Sequence, residues 1–171
     1  MPAVWTTPIT WSVDQLVTND DLNEQVRDNL EYLLSPNHQQ IIYNNGGNLT
    51  ITNVVSFQDI DSANLTITLN THGGPVLVRF MGSGRSNGTS NPCSLDLTVD
   101  GTRVGAAHTL GLLTLGIEGA SWIPVNLSLL ITGLAAGPHI FRPQWRTPAS
   151  ATFTLRSNSS DNPVVFEVIE L

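Results

Sequence analysis

The chain has 171 residues, with seven Arg, no Lys and fourteen acidic residues, and so carries a net charge of −7 at pH 7. Because its few basic residues are scattered, we expect no nucleic-acid partner, which would need basic clusters against the phosphate backbone. A single cysteine, Cys93, excludes an intramolecular disulfide and a thiolate metal site. Its setting in a strand-like segment favours a small buried side chain over a reactive thiol. No run reaches the ~18 apolar residues of a membrane span, so we expect no membrane insertion.

Residues 1–17 are predicted to form an arm. Their sequence has neither a helical nor a strand period, and it contains Pro2, Trp5, Pro8 and Trp11. Two tryptophans on an arm without a core of its own need burial elsewhere. They either fold back on the rest of the chain or insert into a partner, and the sequence favours neither.

A helix of about 16 residues is predicted to follow the arm, too short to be stable alone. Thr18 is the expected N-cap, and Asp21, three residues on, completes a variant of the capping box. Pro36 ends the helix, because the residue before a proline avoids helical geometry, and Arg27 is spaced for an ion pair with Glu31. An apolar stripe runs along one face at Leu22, Val26, Leu30 and Leu33. This stripe must pack either on the chain's own β domain or on symmetry copies.

From Ile41 onward the sequence changes to short alternating segments, which are typical of β-strands. Eight to ten such segments, separated by turn residues, indicate a β-sandwich or barrel. Asp100-Gly101 predicts a tight hairpin, and the last predicted strand, 164–171, runs to the final residue. The predicted organisation is an arm and helix in residues 1–36 and a β domain in residues 37–171.

A long exposed loop is predicted from Gly82 to Pro92. Its glycines superficially suggest a phosphate loop, but no Lys-Ser/Thr pair and no helix follows. Loops at the end of a sandwich often carry binding residues. The candidate ligand contacts in this loop are Ser83, Arg85, Asn87 and Asn91.

No catalytic or metal-binding pattern stands out. The four histidines, His38, His72, His108 and His139, lack ligand spacing. Asp59 and Asp61 fit either a pair of hard-cation ligands or a hydrogen-bonded turn. Without a nucleophile motif or a closely spaced carboxylate pair, we expect no enzyme, no metal site and no cofactor.

Aromatic residues in the strand-like segments have two readings. Trp122 and Trp145, with Phe141 and Phe153, could form a sugar-binding platform. Packing in a core or an interface is the commoner use of such side chains.

Two segments resemble proteins of phage particles. Trp11 to Leu34 resembles the N-terminal segment of many tailed-phage minor tail, fibre and particle-surface proteins. The matching residues are Trp11, Val17, Thr18, Leu22, Asn23, Gln25, Val26, Arg27, Asp28, Asn29, Leu30 and Leu33. Asn19-Asp20-Asp21 departs from the Ala-Ala-Asp that is frequent there. Leu130 to Arg146 is similar to a strand pair of TNF-like and jelly-roll domains of phage surface proteins, through Gly133, Leu134, Gly137, His139 and Trp145.

The resemblance implies a tailed-bacteriophage virion surface protein. Its β domain would be a jelly-roll or TNF-like sandwich of eight to ten antiparallel strands, assembled as a homotrimer. The arm and helix would anchor it to other virion proteins, major capsid or tail proteins, through Trp5, Trp11, Leu22, Asn23, Val26, Arg27, Leu30 and Leu33. We expect a head decoration or a short surface spike on the virion, assembled in the host cytoplasm. The alternative is a tail-fibre or receptor-binding protein that recognises a host surface glycan.

Overall fold

The computed structural model describes residues 6–7, 9–30, 37–44, 46–86, 92–116, 121–157 and 162–171. Strands dominate these residues, and the prediction of a mainly β fold is confirmed. The described strands are β1 (His38–Tyr43), β2 (Leu49–Thr52), β3 (Gln58–Asp59), β4 (Ile67–Thr71), β5 (Val76–Ser86), β6 (Cys93–Val99), β7 (Thr102–Arg103), β8 (Leu113–Leu115), β9 (Ile123–Ile131), β10 (Gly137–Arg146), β11 (Thr152–Arg156) and β12 (Val164–Glu170). Two of them, β3 and β7, are only two residues long. None of the described helical segments is long and apolar enough to cross a membrane.

The strands pair antiparallel in two sheets. The first sheet has the order β1-β12-β5-β11-β2, and β9 pairs with the opposite edge of β5. Strand β5 is long enough to pair with β12 through its first half and with β11 through its second half. The second sheet has the order β3-β10-β6-β7, with β4 also pairing with β10 and β8 with β6. The C-terminal strand β12 thus lies inside a sheet, between β1 and β5.

Alternate residues of both sheets meet in one core. Four phenylalanines are fully buried there, Phe80, Phe141, Phe153 and Phe166, and each is worth about 1.5–3 kcal/mol relative to an exposed position. Trp145 packs edge-on against Phe153, with ring centroids 6.4 Å apart. Cys93 lies in the same core, where burial raises the pKa of its thiol to about 12. The prediction of a small buried cysteine is therefore confirmed.

The predicted hairpin at Asp100-Gly101 is confirmed. Val99 pairs with Thr102 across the turn, and the two turn residues have φ of 52° and 79°, the left-handed values that a type I′ turn needs. Asp100 also accepts a hydrogen bond from the Ile140 N–H at 2.8 Å. The turn is thereby fastened to the neighbouring strand β10.

The N-terminal helix starts where the sequence predicted and then departs from a regular α-helix. Thr18 accepts a hydrogen bond from the Asp21 N–H at 3.2 Å, and the Thr18 N–H donates to the Asp21 carboxylate at 2.9 Å, so the capping box is confirmed. The helix α1 (Asn19–Leu22) passes into a π-helical segment (Asn23–Asp28), which the 3.6-residue period did not predict. Residues 31–36, with Leu33 and Glu31, lie outside the described residues. Arg27 pairs with Asp28 at 2.8 Å.

Candidate assembly surface

The apolar stripe of the N-terminal helix faces solvent. Leu22, Val26 and Leu30 are 50%, 50% and 53% exposed, and Leu33 belongs to the undescribed segment. A soluble helix normally turns such a stripe towards a core. In the described part of the chain, this stripe has no such cover.

The described residues of the arm hydrogen-bond to the helix. The Thr6 N–H donates to the Asn29 side-chain oxygen at 2.9 Å, and the Asn29 amide donates to the Thr6 carbonyl at 3.1 Å. The Ile9 N–H donates to the Gln25 side-chain oxygen at 3.0 Å. Trp11 remains 39% exposed, and Trp5 lies outside the described residues. Among the residues that the structure describes, the hydrogen bonds of residues 6–30 stay within that segment.

The N-terminal segment also carries most of the negative charge. Residues 1–36 contain six of the fourteen acidic residues and one of the seven arginines, a net charge of −5, whereas residues 37–171 carry −2. That arginine, Arg27, donates hydrogen bonds to the Asp28 carboxylate at 2.8 Å and to the Asn23 side-chain oxygen at 3.4 Å. The candidate anchor residues Asn23 and Arg27 therefore contact each other along the exposed helix.

The outer face of the first sheet is a second apolar surface. The strand register places Leu130, Leu77 and Ile169 in one row across β9, β5 and β12. A second row on the same face lies farther along β5. It consists of Met81, Val165 and Ile42, side by side on β5, β12 and β1. Leu130 and Ile42 are 52% and 59% exposed. Between the two apolar rows, Arg79 donates to Glu167 at 3.3 Å.

The predicted loop Gly82–Pro92 is wrong in its first part. Ser83 and Arg85 belong to strand β5 and lie opposite Arg156 and Thr154 of β11. Gly84, which suggested a turn, is required for a different reason: a Cβ there would collide with the buried ring of Phe153. Asn87 and Asn91 lie outside the described residues.

The candidate aromatic platform divides into two. Trp145 is buried with Phe141 and Phe153, which excludes it as a platform in this conformation. Trp122 is partly exposed, and the Arg85 and Arg156 guanidinium carbons lie 4.7 Å and 5.5 Å from its ring centroid. The sequence suggested Trp122 as part of an aromatic platform and Arg85 as a ligand contact in a loop. It missed their proximity, which arises from strand register alone.

Two of the histidines and both residues of the Asp59/Asp61 pair make structural contacts, with Asp59 accepting a hydrogen bond from the Gln144 amide at 2.8 Å. His72 Nδ1 lies 2.9 Å from the Glu170 carboxylate, and His139 Nδ1 lies 2.7 Å from the Asp100 carboxylate. Hydrogen bonding to Asp100, and then to the Ala135 carbonyl, raises the pKa of His139. Asp61 accepts hydrogen bonds from the Ala63 and Asn64 backbones. It therefore forms the hydrogen-bonded turn that the sequence offered as the alternative to a cation site. Within the described ranges, no three His, Cys, Asp or Glu side chains cluster as metal ligands.

A shallow cavity of about 250 Å³ lies beside the end of β10. Apolar side chains such as Val55, Leu110 and Pro148 form much of its wall. Its charged group is Arg146, whose guanidinium donates to the Val55 carbonyl at 3.3 Å. Among the described residues that line it, none is a carboxylate, a histidine or a cysteine, so the wall offers no general acid or base.

No protein-family model matches the chain, and no curated protein matches it. Its structure is similar to a chain in the structure of infectious bursal disease virus, Gx strain, with a TM-score of 0.46 and 8% identity over 80% of this chain and 36% of that one. It is also similar to Eiger TNF from S. frugiperda, with a TM-score of 0.43 and 14% identity over 80% and 92%. A pentameric capsid protein isolated from metagenomic phage sequences gives a TM-score of 0.29 and 14% identity over 77% and 62%. The chain thus spans about a third of the virus chain's length.

Proposed function

We propose that this chain is a structural protein of a tailed-bacteriophage virion, a homotrimeric head decoration or short surface spike. The arm and helix anchor it to another virion protein, and the β domain faces outward. The observation that carries the proposal is the exposed stripe of Leu22, Val26 and Leu30. The sequence resemblance of this same segment to the N-terminal segments of phage particle proteins agrees with it.

The exposed stripe could release further free energy if a partner covered it. Covering a half-exposed Leu or Val releases about half of the 1.5–3 kcal/mol that full burial of such a side chain is worth. Three such residues would together supply a few kcal/mol, on the order of what orders a short helix on a partner. Because the segment carries a net charge of −5, a second copy of it is a poor partner. An apolar groove with a basic rim fits it better.

The experiment replaces Val26 and Leu30 together by Asp. We expect the variant to lose binding to phage particles that lack this protein, as measured by co-sedimentation, because two charges would enter the apolar contact. Leu110→Asp is the matched control, since Leu110 is 50% exposed, like the stripe residues, and lies in the β domain outside the arm and helix. Circular dichroism should show an intact β domain in both variants. Retained binding by the double variant would refute the anchor.

The trimer is proposed to form through the outer face of the first sheet. Light scattering should give the intact chain a mass near three times 18.5 kDa. Ile42→Asp with Leu130→Asp should lower that mass to one chain, because both side chains stand on this face. Leu110→Asp, at a 50% exposed position away from the first sheet, should leave the mass unchanged. A monomeric wild-type chain would contradict the trimer.

The second candidate is a tail-fibre or receptor-binding protein that recognises a host surface glycan. The contact of the exposed Arg85 with the partly exposed Trp122 favours it, because aromatic and arginine side chains are common in recognition sites. A glycan array probed with the intact chain tests this role. Specific binding would favour it over a purely structural one.

A further inference from the structure

We propose that Arg85, Trp122 and Arg156 form a binding site for an oxyanion, the sulfate, phosphate or carboxylate group of a ligand. The two guanidinium carbons lie 4.7 Å and 5.5 Å from the centroid of the same indole ring. Both distances fall within the ~6 Å range of a cation–π contact. The inference does not depend on the anchoring role. The site shares the outer face of the first sheet with the proposed trimer contact, but it lies where β5 pairs with β11, at the other end of β5 from Leu77.

Strand pairing builds the site. Arg85 lies opposite Thr154, and Arg156 lies opposite Ser83, on the paired strands β5 and β11. Because alternate residues of a strand share a face, all four side chains stand on the outer face of the first sheet. Trp122 directly precedes β9, whose first residue, Ile123, pairs with Gly84. The indole therefore reaches the two arginines from the neighbouring strand.

Within the described ranges, no carboxylate pairs with either guanidinium group of the site. The side chains of Arg85 and Arg156 also make no hydrogen bond to another described residue. Three of the four other described β-domain arginines, Arg79, Arg103 and Arg142, each have a carboxylate within 4 Å. The fourth, Arg146, donates a hydrogen bond to the Val55 carbonyl. Two like charges held at one ring repel each other, and a bound anion would offset that repulsion.

A cation–π contact with the indole uses none of the guanidinium N–H groups as hydrogen-bond donors, so these groups remain for a ligand. A guanidinium donates in a planar fork, which matches two oxygens of a carboxylate, sulfate or phosphate. Ser83 and Thr154 add hydroxyl groups on the same face. The ligand chemistry is therefore an oxyanion and not a halide, which cannot accept two parallel hydrogen bonds on separate atoms.

The net charge of the protein does not prevent this. The chain carries −7 in total, but charges separated by more than ~8 Å are largely screened at physiological ionic strength. Most of the excess negative charge lies in residues 1–36. Local attraction at the paired arginines then decides binding.

The test is a fluorescence titration of the intact chain with sodium sulfate against sodium chloride at equal ionic strength. We expect saturable quenching by sulfate and none by chloride. The signal should vanish in Trp122→Phe, which removes the reporting indole. Arg85→Gln with Arg156→Gln should weaken sulfate binding at least about tenfold, since hydrogen bonds to charged groups are the strong ones. Arg146→Gln is the matched control, because Arg146 also stands over an aromatic ring, Phe57, at 5.2 Å.

A second arm identifies the source of the anion. A heparin-derived hexasaccharide is titrated beside its desulfated counterpart. Tighter binding of the sulfated form than of free sulfate assigns the site to an anionic saccharide, and equal binding assigns it to a free inorganic anion. Three results overturn the proposal: no saturable response to any oxyanion, an equal response to chloride, or an unchanged affinity in the double arginine variant. Light scattering of that variant shows that its assembly state is unaltered.

Discussion

The β domain and the N-terminal segment treat their apolar residues in opposite ways. In the sandwich, the large inward side chains are buried, with Phe153 and Phe166 at 0% exposure. In the N-terminal segment, the stripe of Leu22, Val26 and Leu30 is about half exposed. The capping box and the hydrogen bonds from the arm nevertheless stabilise the helix. The sandwich therefore completes its own core, whereas the described residues leave the stripe of the N-terminal segment uncovered. Local hydrogen bonding orders a helix but does not bury it.

The largest expected contrast between the two regions comes from large-to-small substitutions. Phe153→Ala should lower the free energy of unfolding by about 3–5 kcal/mol, because it opens a cavity between the sheets. Val26→Ala, on the exposed stripe, should change it by no more than about 0.5 kcal/mol. Urea titration of the intact chains measures both. Similar losses at the two positions would show that the helix packs on the sandwich after all.

The next effect concerns the last strand. The Glu170 side chain is 1% exposed, and it accepts hydrogen bonds from the His72 N–H at 2.6 Å and the Gly74 N–H at 3.0 Å. Glu170→Gln keeps the shape but loses the charge, and it should cost about 1–3 kcal/mol of unfolding free energy. Urea titration at pH 7 measures the loss. Glu167→Gln is a control on the same strand, and a loss as large there would argue against a special role for Glu170.

The pH dependence of stability gives Glu170 a separate signature. Burial alone would raise its pKa, but the hydrogen bonds from His72 and Gly74 outweigh burial and leave the pKa below its usual value. A lowered pKa contributes stability above the ordinary value of 4.5, and that contribution is lost as the pH falls below it. The unfolding free energy of the native chain should therefore fall more steeply between about pH 5 and pH 3 than that of Glu170→Gln. Parallel curves would contradict the assignment.

Much of the fold could be predicted because its signals are local. The hairpin at Asp100-Gly101 and the cap at Thr18 each depend on residues within a few positions of one another. The loop boundary at Gly82 could not be predicted. Gly84 is a glycine because a side chain there would collide with the ring of Phe153, which is distant in sequence. The contact of Arg85 with Trp122 depends in the same way on the register of β5 with β9. The residues near each strand do not determine which residues of β5 and β9 pair.

Removal of the helix N-cap should have a small effect that is confined to the N-terminal helix. Thr18→Ala removes the side chain that accepts the Asp21 N–H, and loss of an N-cap costs about 1 kcal/mol of helix stability. Because the described hydrogen bonds of this helix stay within residues 6–30, that loss should reach the helix alone. Far-ultraviolet circular dichroism should show less helix, while the urea midpoint of the sandwich stays unchanged. Thr18→Ser, which keeps the hydroxyl, should restore the helical signal. A shifted midpoint in Thr18→Ala would mean that the two regions fold as one unit.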